Sequence, residues 1–238
     1  MNLLALDTST DMLSIAVQRG DALWQHSGPG AAQTSTHLIP AIQALMAEAG
    51  LQFTDLQAIA FGRGPGSFTG LRTACSIAQG LAFAAQIPVL PMDTLLAVAE
   101  QAREQHGCTE LVAVLDARMN EVYHGRYHFR DGRWSSPDDA GSDFGLCAPE
   151  ALQLPAETVV AGNAQAAYGE RLAPQARHVA ALPTATAMLR LAPALLAAGG
   201  ALAAGEALPL YIRDKVAQTT AEREAARQAA APATPPSA

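Results

Sequence analysis

Two hydrophobic patterns share the first twenty residues. Residues 2–7 form a short apolar run ending in the polar turn Asp7-Thr8-Ser9-Thr10, and residues 12–18 then alternate, Leu13, Ile15 and Val17 against Ser14, Ala16 and Gln18. A period of two predicts a strand with one buried face. The chain therefore opens on a β-hairpin, with Trp24 on a third strand. Over 36–49 the spacing turns helical: Leu38, Ile42, Leu45, Met46 and Ala49 fall on one stripe. Thr34, Ser35 and Thr36 offer N-caps, Pro40 belongs near the first turn, and Gly50 is a stop.

A strand over 58–62 runs into Gly62-Arg63-Gly64-Pro65-Gly66-Ser67-Phe68-Thr69-Gly70. The helix that follows, to about Ala85, is built largely from small residues. A strand over Ile87–Leu90 and a helix from Thr94 to about Glu104 close the first half. The second half restarts in the same style. Leu111 to Leu115 end in Asp116 as Leu3 to Leu6 end in Asp7, and residues 120–129 alternate as 12–18 do. This repetition hints at a duplicated α/β lobe. Residues 130–150 read as loop or edge structure, 157–161 as a strand followed by Gly162-Asn163 and a helix, and 184–198 as an Ala/Leu helix. Expected divisions are a lobe over 1–105, a second over 106–216, and a tail over 217–238 with too little to bury to stay ordered.

Composition narrows the function. The formal charge of -7, with only 15 Lys and Arg, makes the chain a poor candidate for gripping nucleic acid alone, because phosphate neutralisation supplies most of that affinity. Cys75, Cys108 and Cys147 are widely spaced and odd in number, so neither a zinc ribbon nor a disulfide framework is indicated. No signal peptide and no membrane-spanning run are read from the sequence; a cytoplasmic protein is expected.

Asp7 sits where a strand end meets a polar loop, the usual ligand position in α/β folds. Asp7, Thr8, Ser9 and Thr10 could hold a phosphate or equally form a self-satisfied Asx or ST turn. In the glycine loop, Gly64, Gly66, Ser67 and Thr69 could cradle an anion at a helix N-terminus, or simply connect strand to helix. No Gly-Lys-Ser/Thr follows, which excludes a Walker A loop, and Thr69 takes the third glycine's slot of a dinucleotide fingerprint. Gly70, Ala74, Gly80 and Ala84 permit either flat packing on the sheet or the close approach of a second helix. His124 and His128, four apart on one strand face, lie about 13 Å apart, too far for one metal. His37 has no histidine partner, and no Ser-His-Asp or Cys-His set is defined by spacing.

Four blocks stand out together: Leu6-Asp7-Thr8-Ser9-Thr10, Gly64-Pro65-Gly66-Ser67-Phe68-Thr69-Gly70-Leu71-Arg72, Asp116-Ala117-Arg118-Met119-Asn120-Glu121-Val122-Tyr123 and Tyr211-Ile212-Arg213-Asp214-Lys215-Val216-Ala217. In these the chain closely resembles the TsaB family, formerly called YeaZ. The resemblance implies an actin-like, sugar-kinase-like ATPase fold of two ribonuclease-H-like lobes. It implies a non-catalytic subunit of tRNA threonylcarbamoyladenosine synthesis that pairs with the catalytic relative TsaD, is joined by the ATPase TsaE, meets tRNA only through the complex and forms a homodimer when alone. The expected partner surface comprises His37, Leu38, Ala41, Leu45, Gly70, Thr73, Ala74, Ile77 and Leu81. The catalytic relative holds its metal with two histidines four apart after an Ile-Pro strand; counted from Ile87, those positions are Thr94 and Val98 here, and neither replaces an imidazole. Thr8 also stands where active ATPases of this fold keep a glycine. No metal or required cofactor is expected, with ATP or ADP possible at the partner interface. An active small-molecule kinase or ATPase using Asp7 and the 62–70 loop is the alternative.

Overall fold

The computed structural model describes residues 1–30, 34–136 and 144–213. Two sheets are built to one plan. In the first, β1 (Asn2–Asp7), β2 (Met12–Arg19) and β3 (Ala22–Pro29) form an antiparallel meander, and β4 (Ala58–Gly64) and β5 (Val89–Asp93) extend it in parallel beyond β1, giving the order β3-β2-β1-β4-β5. In the second, β6 (Glu110–Asp116), β7 (Val122–Arg130) and β8 (Arg133–Ser135) repeat the meander, and β10 (Val159–Gly162) and β11 (Arg177–Ala180) repeat the parallel extension. β9 (Gly145–Cys147) pairs with β7. The same order and directions occur twice, so the duplication hinted at by Asp7 and Asp116 is real. Two ribonuclease-H-like sheets in tandem are the actin-like architecture.

Among the described residues five helices cover the sheets. α1 (Thr34–Ala49) and α2 (Phe68–Ala85) pack on the outer face of the first sheet, where Leu4, Leu6, Ile15, Val17, Ile59 and Phe61 meet Leu38, Ile42, Leu45, Ala74 and Ala78. α4 (Ala164–Tyr168) covers the outer face of the second. The other two helices are exchanged. α3 (Thr94–His106) leaves β5 but lays Leu95, Val98, Ala99 and Ala102 against Leu111, Ala113, Leu115 and Tyr127 of the second sheet. α5 (Ala185–Ala197) follows β11 but lays Ala185, Met188, Leu189 and Ala192 on Leu3, Ala5, Ala16, Ala58 and Ala60 of the first. That alanine floor lets α5 settle close to the strands without voids.

The exchange corrects one expectation. β2 has two buried faces, not one: Ser14 and Ala16 are buried as fully as Leu13 and Ile15. The cover comes from α5, some 170 residues later, and Ser14 Oγ accepts the Ala185 N–H at 2.9 Å, serving the first turn of that helix. β5 is also displaced, spanning Val89–Asp93 rather than starting at Ile87. The edge strand β11 carries no strong alternation, and the sequence did not reveal it. The expected tail lies outside the described residues.

Among the described residues two carboxylates are buried, and they differ. Glu100 of α3 is fully partnered. Oε1 accepts from Arg103 Nη2 at 2.8 Å and Arg190 Nε at 2.9 Å, and Oε2 accepts from Arg103 Nε and Trp134 Nε1, both at 2.9 Å. One side chain thus ties α3, α5 and β8. Burial alone would raise its pKa, but the hydrogen bonds from Arg103, Trp134 and Arg190, with the Arg103 charge, hold it below the usual carboxylate range. Asp7 is half satisfied. Oδ1 accepts from Ser9 N at 3.0 Å and Ser9 Oγ at 2.7 Å, whereas Oδ2 has no partner and faces Gly62 and the Met188 methyl. Burial pushes its pKa up to about 6 against the Ser9 hydrogen bonds.

These groups bias stability in opposite directions with pH. Glu100, depressed in the fold, stabilises above the ordinary carboxylate pKa and loses that contribution as pH falls through its folded value. Asp7, raised in the fold, costs roughly 3 kcal/mol when ionised, a cost relieved as pH falls from above 6 towards 4. Glu100→Ala is expected to lower unfolding stability by about 3 kcal/mol, read as a drop in urea midpoint at unchanged slope. Asp7→Asn is expected to be more stable than the parent by roughly 1–2 kcal/mol at pH 8, since the amide removes a buried charge but orphans an N–H, and to lose that advantage by about pH 4. Unfolding curves of the two proteins that stay parallel across this range would refute the assignment.

Candidate functional site

The two segments offered for anion binding occupy each other. Asp7 and Ser9 form the self-satisfied turn. The Ser9 carbonyl then accepts the Ser67 N–H at 2.7 Å, and Thr8 Oγ1 donates to the Gly70 carbonyl at 2.6 Å. The glycines permit this contact: a Cβ on Gly70 would sit 1.8 Å from the Thr8 oxygen, and one on Gly62 1.9 Å from Asp7 Oδ2. Backbone from the 7–10 turn fills the concave side of the loop, where a phosphate would seat in the anion reading. Asp7, Thr8 and Ser9 are buried, Thr10 and Gly66 half-buried, Gly64 buried, and Ser67 and Thr69 exposed.

Beside this knot lies a cavity of about 230 Å³ between the two sheets. Its walls include Thr10, Asp11, Ser67 and Phe68 from the first lobe, Asp116, Arg118 and Asn163 from the second, and Tyr211 and Arg213 from the segment after α5. All four blocks that carried the family resemblance converge here, although they are spread over two hundred residues. Asp116 ends β6 as Asp7 ends β1, but it faces the cleft. Its Oδ1 accepts from Arg118 N at 2.8 Å and Tyr168 OH at 2.7 Å. Burial and then this hydrogen bond push the Tyr168 hydroxyl up to about 12. Arg118 reaches across the cleft to Asp11, Nη2 to Oδ2 at 2.5 Å, while Nη1 lies 3.1 Å from Asp116 Oδ2.

Arg118, Met119 and Asn120 are consecutive left-handed residues, with φ of 59°, 55° and 62°. For side chains other than glycine this costs on the order of 1–2 kcal/mol each, less for Asn. Arg213 holds the arch: Nη2 donates to the carbonyls of Ala117 at 3.1 Å and Arg118 at 3.3 Å and to Glu121 Oε2 at 2.5 Å, and Arg171 Nη2 donates to Asn120 Oδ1 at 2.6 Å. Tyr211 fixes the same segment to the first lobe. Its hydroxyl accepts from Arg72 Nε at 2.9 Å, its ring lies 5.1 Å from that of Phe68, and the Arg72 guanidinium sits 3.8 Å above Phe68. Arg118, Tyr211 and Arg213 lay within the resemblance blocks without an assigned role. Asp11 and Asn163 lay outside them and join only through the fold.

The residues expected to meet a partner separate into two sets. Leu38, Leu45 and Ala74 are core residues beneath α1 and α2, closed to any partner. The correction follows from choosing the apolar stripe of each helix, which an amphipathic helix turns inward. His37 is exposed, and Ala41, Gly70, Thr73, Ile77 and Leu81 are half-buried on or beside the outward face. Ser76, Gly80 and Ala84 complete that face on α2. Gly80 has no atom within 4 Å of its would-be Cβ, so nothing in the described chain requires a glycine there. Thr94 and Val98, at the two positions compared with metal-binding histidines, are both buried in the packing of α3. Among the described residues no group of three His, Cys, Asp or Glu side chains could hold a metal ion, and no helix is long and apolar enough to cross a membrane.

The cleft is smaller than the roughly 300–1,000 Å³ usual for small-molecule sites. The Arg118–Asp11 ion pair spans it, and the 7–10 turn is hydrogen-bonded to the glycine loop along one side.

Comparison with known proteins agrees with the resemblance. The family described as "TsaD: tRNA N6-adenosine threonylcarbamoyltransferase" matches residues 29–226. The tRNA threonylcarbamoyladenosine biosynthesis protein TsaB of Escherichia coli is 34% identical over 229 residues, 91% of this chain and 96% of the relative. That of Haemophilus influenzae is 38% identical over 234 residues, 91% and 95% of the two chains. The solved structure of YeaZ from Pseudomonas aeruginosa superposes with a TM-score of 0.80 at 37% identity, covering 89% of this chain and 99% of that one. With its paired sheets, its convergent blocks and these relatives, the chain belongs to the TsaB (YeaZ) family of tRNA threonylcarbamoyladenosine biosynthesis proteins.

Proposed function

We propose that this chain is the non-catalytic subunit of threonylcarbamoyl transfer. It binds the catalytic subunit TsaD through the outward faces of α1 and α2, assembles with the ATPase TsaE in the cytoplasm, and pairs with a second copy through the same face when TsaD is missing. ATP or ADP, where present, sits at the contact with TsaD and is not consumed by this chain. The observation that carries the reading is the interlock of the 7–10 turn with the glycine loop. A kinase or ATPase of this architecture needs that loop open to phosphate and its strand-end carboxylate within reach. Here Ser9 holds the loop's Ser67 N–H, and Asp7 is sealed beneath Gly62.

Support for the docking face comes from Gly80. A glycine inside an exposed helix costs about 1 kcal/mol relative to alanine, and no neighbour among the described residues explains it. A second backbone crossing α2 closely would. Ser76 and Ala84, both exposed, lie one turn to either side of Gly80 on α2 and keep that strip of the helix small enough for a close helical contact.

Gly80→Ala is expected to raise the stability of the isolated chain by roughly 0.5–1 kcal/mol. Gly80→Phe is expected to leave the fold intact and reduce capture by TsaD at least tenfold, on the order of 1.4 kcal/mol. Undiminished capture of the Phe variant would remove α2 from the interface. In the reconstituted reaction, threonylcarbamoyl transfer by TsaD and TsaE is expected to collapse when this chain is omitted and return when it is added. Steady ATP turnover by the purified chain alone would instead favour the enzyme reading.

A further inference from the structure

The exposed face of the β7–β8 hairpin, remote in sequence from α1 and α2, carries three guanidiniums without an ion-pair partner among the described residues. Arg126, His128 and Arg130 alternate along one side of β7, and the register sets Arg133 directly opposite Arg130 and Ser135 opposite His128. The two-residue turn Asp131-Gly132, with φ of 52° and 75°, closes the hairpin tightly and keeps that pair in place. Like charges facing each other across strands destabilise a hairpin. A neutral pair would serve the fold better, so the arrangement has no structural benefit to this chain.

The neighbouring carboxylates form no ion pair with the three arginines among the described residues. Glu110 Oε2 lies 3.7 Å from His128 Nδ1. Glu110 and Glu157 share with Arg126 and His128 the walls of a shallow groove of about 380 Å³, without an ion pair to any of the three arginines. Asp131 occupies the turn, and Asp138, Asp139 and Asp143 lie outside the described residues. The hairpin offers little for a protein partner to grip: its outward side chains are Arg126, His128, Arg130, Arg133 and Ser135, and of the apolar side chains in the adjoining groove Leu111 and Val112 are buried, Val159 half-buried and Pro155 exposed. Planar forks spread along a flat strand match phosphate oxygens instead. Arg126 and Arg130 are four residues apart, about 13 Å along β7.

We infer that this face supplies sequence-independent phosphate contacts to the tRNA on which the modification assembly acts. The inference rests on the reading of this chain as a subunit of that assembly. It also fits the net charge of -7: three arginines are too few to hold an RNA alone, but they add to a grip supplied elsewhere.

The test titrates fluorescently labelled tRNA with the reconstituted complex over a series of salt concentrations, comparing the parent chain with the triple variant Arg126→Gln, Arg130→Gln, Arg133→Gln. The triple variant is expected to assemble normally by size exclusion and to unfold no earlier in urea. It should bind tRNA about tenfold or more weakly, with the slope of log affinity against log salt shallower by about 2–3, one released counterion for each lost contact. Equal affinity and slope for the two chains overturn the proposal. So does a variant that loses assembly while tRNA binding is untouched, because the face then meets an acidic protein surface. If the parent chain enters no complex, it is the subunit reading that fails. That outcome is read from size exclusion, apart from the tRNA titration, and it overturns this inference together with the subunit reading.

Discussion

The structure depends on an exchange of helices. Each sheet has one face that its own lobe covers and one that the terminal helix of the other lobe covers, α5 on the first and α3 on the second. Neither sheet is complete alone. The crossing point of the two helices is held by Glu100, whose carboxylate takes four hydrogen bonds from Arg103, Arg190 and Trp134. Thr184 Oγ1 and Arg190 Nη2 both donate to Gln101 Oε1 beside it. A charge buried this deeply is tolerable only with such complete pairing. These contacts join α3 to α5 in the layer between the two sheets.

The cleft beside that layer is closed by the chain's own residues. The 7–10 turn and the glycine loop close on each other, the Arg118 arch closes the mouth from the second lobe, and the segment Tyr211–Arg213 ties both lobes together. Left-handed backbone at three successive residues with side chains persists only where surrounding contacts over-determine it. Arg213, with its four acceptors, does so here. The energy of the cleft is spent on shape.

Much of the fold was legible in the sequence because its signals are local. Alternation in 12–18 and 120–129, the helical stripe of 36–49 and the strand-ending acids Asp7 and Asp116 each belong to one element. What was not legible is non-local. Nothing in Ser14 or Ala16 announces a helix arriving from 185, and an alternating strand with a second hidden cover reads as half-exposed. The same limit misplaced Leu38, Leu45 and Ala74: an apolar stripe is visible, but not whether it meets this chain or another. In the site, the family blocks pointed to Arg118 and Arg213 without a role. Asp11 and Asn163 carried no signal, because an aspartate in a turn and an asparagine before a helix are common everywhere. The arch itself contains no glycine, the usual marker of left-handed backbone, and Asn120 alone is too weak a cue.

The exchanged helices also constrain how the polypeptide matures on the ribosome. Chains made of successive modules ordinarily finish the first while the second is being translated. Here the alanine floor of the leading sheet stays uncovered until residues 185–197 have emerged, and α3 must wait for β6 and β10 to be synthesised before its apolar side has anything to lie on. The nascent chain therefore carries an open apolar surface through most of its elongation, and the two halves acquire their final form together.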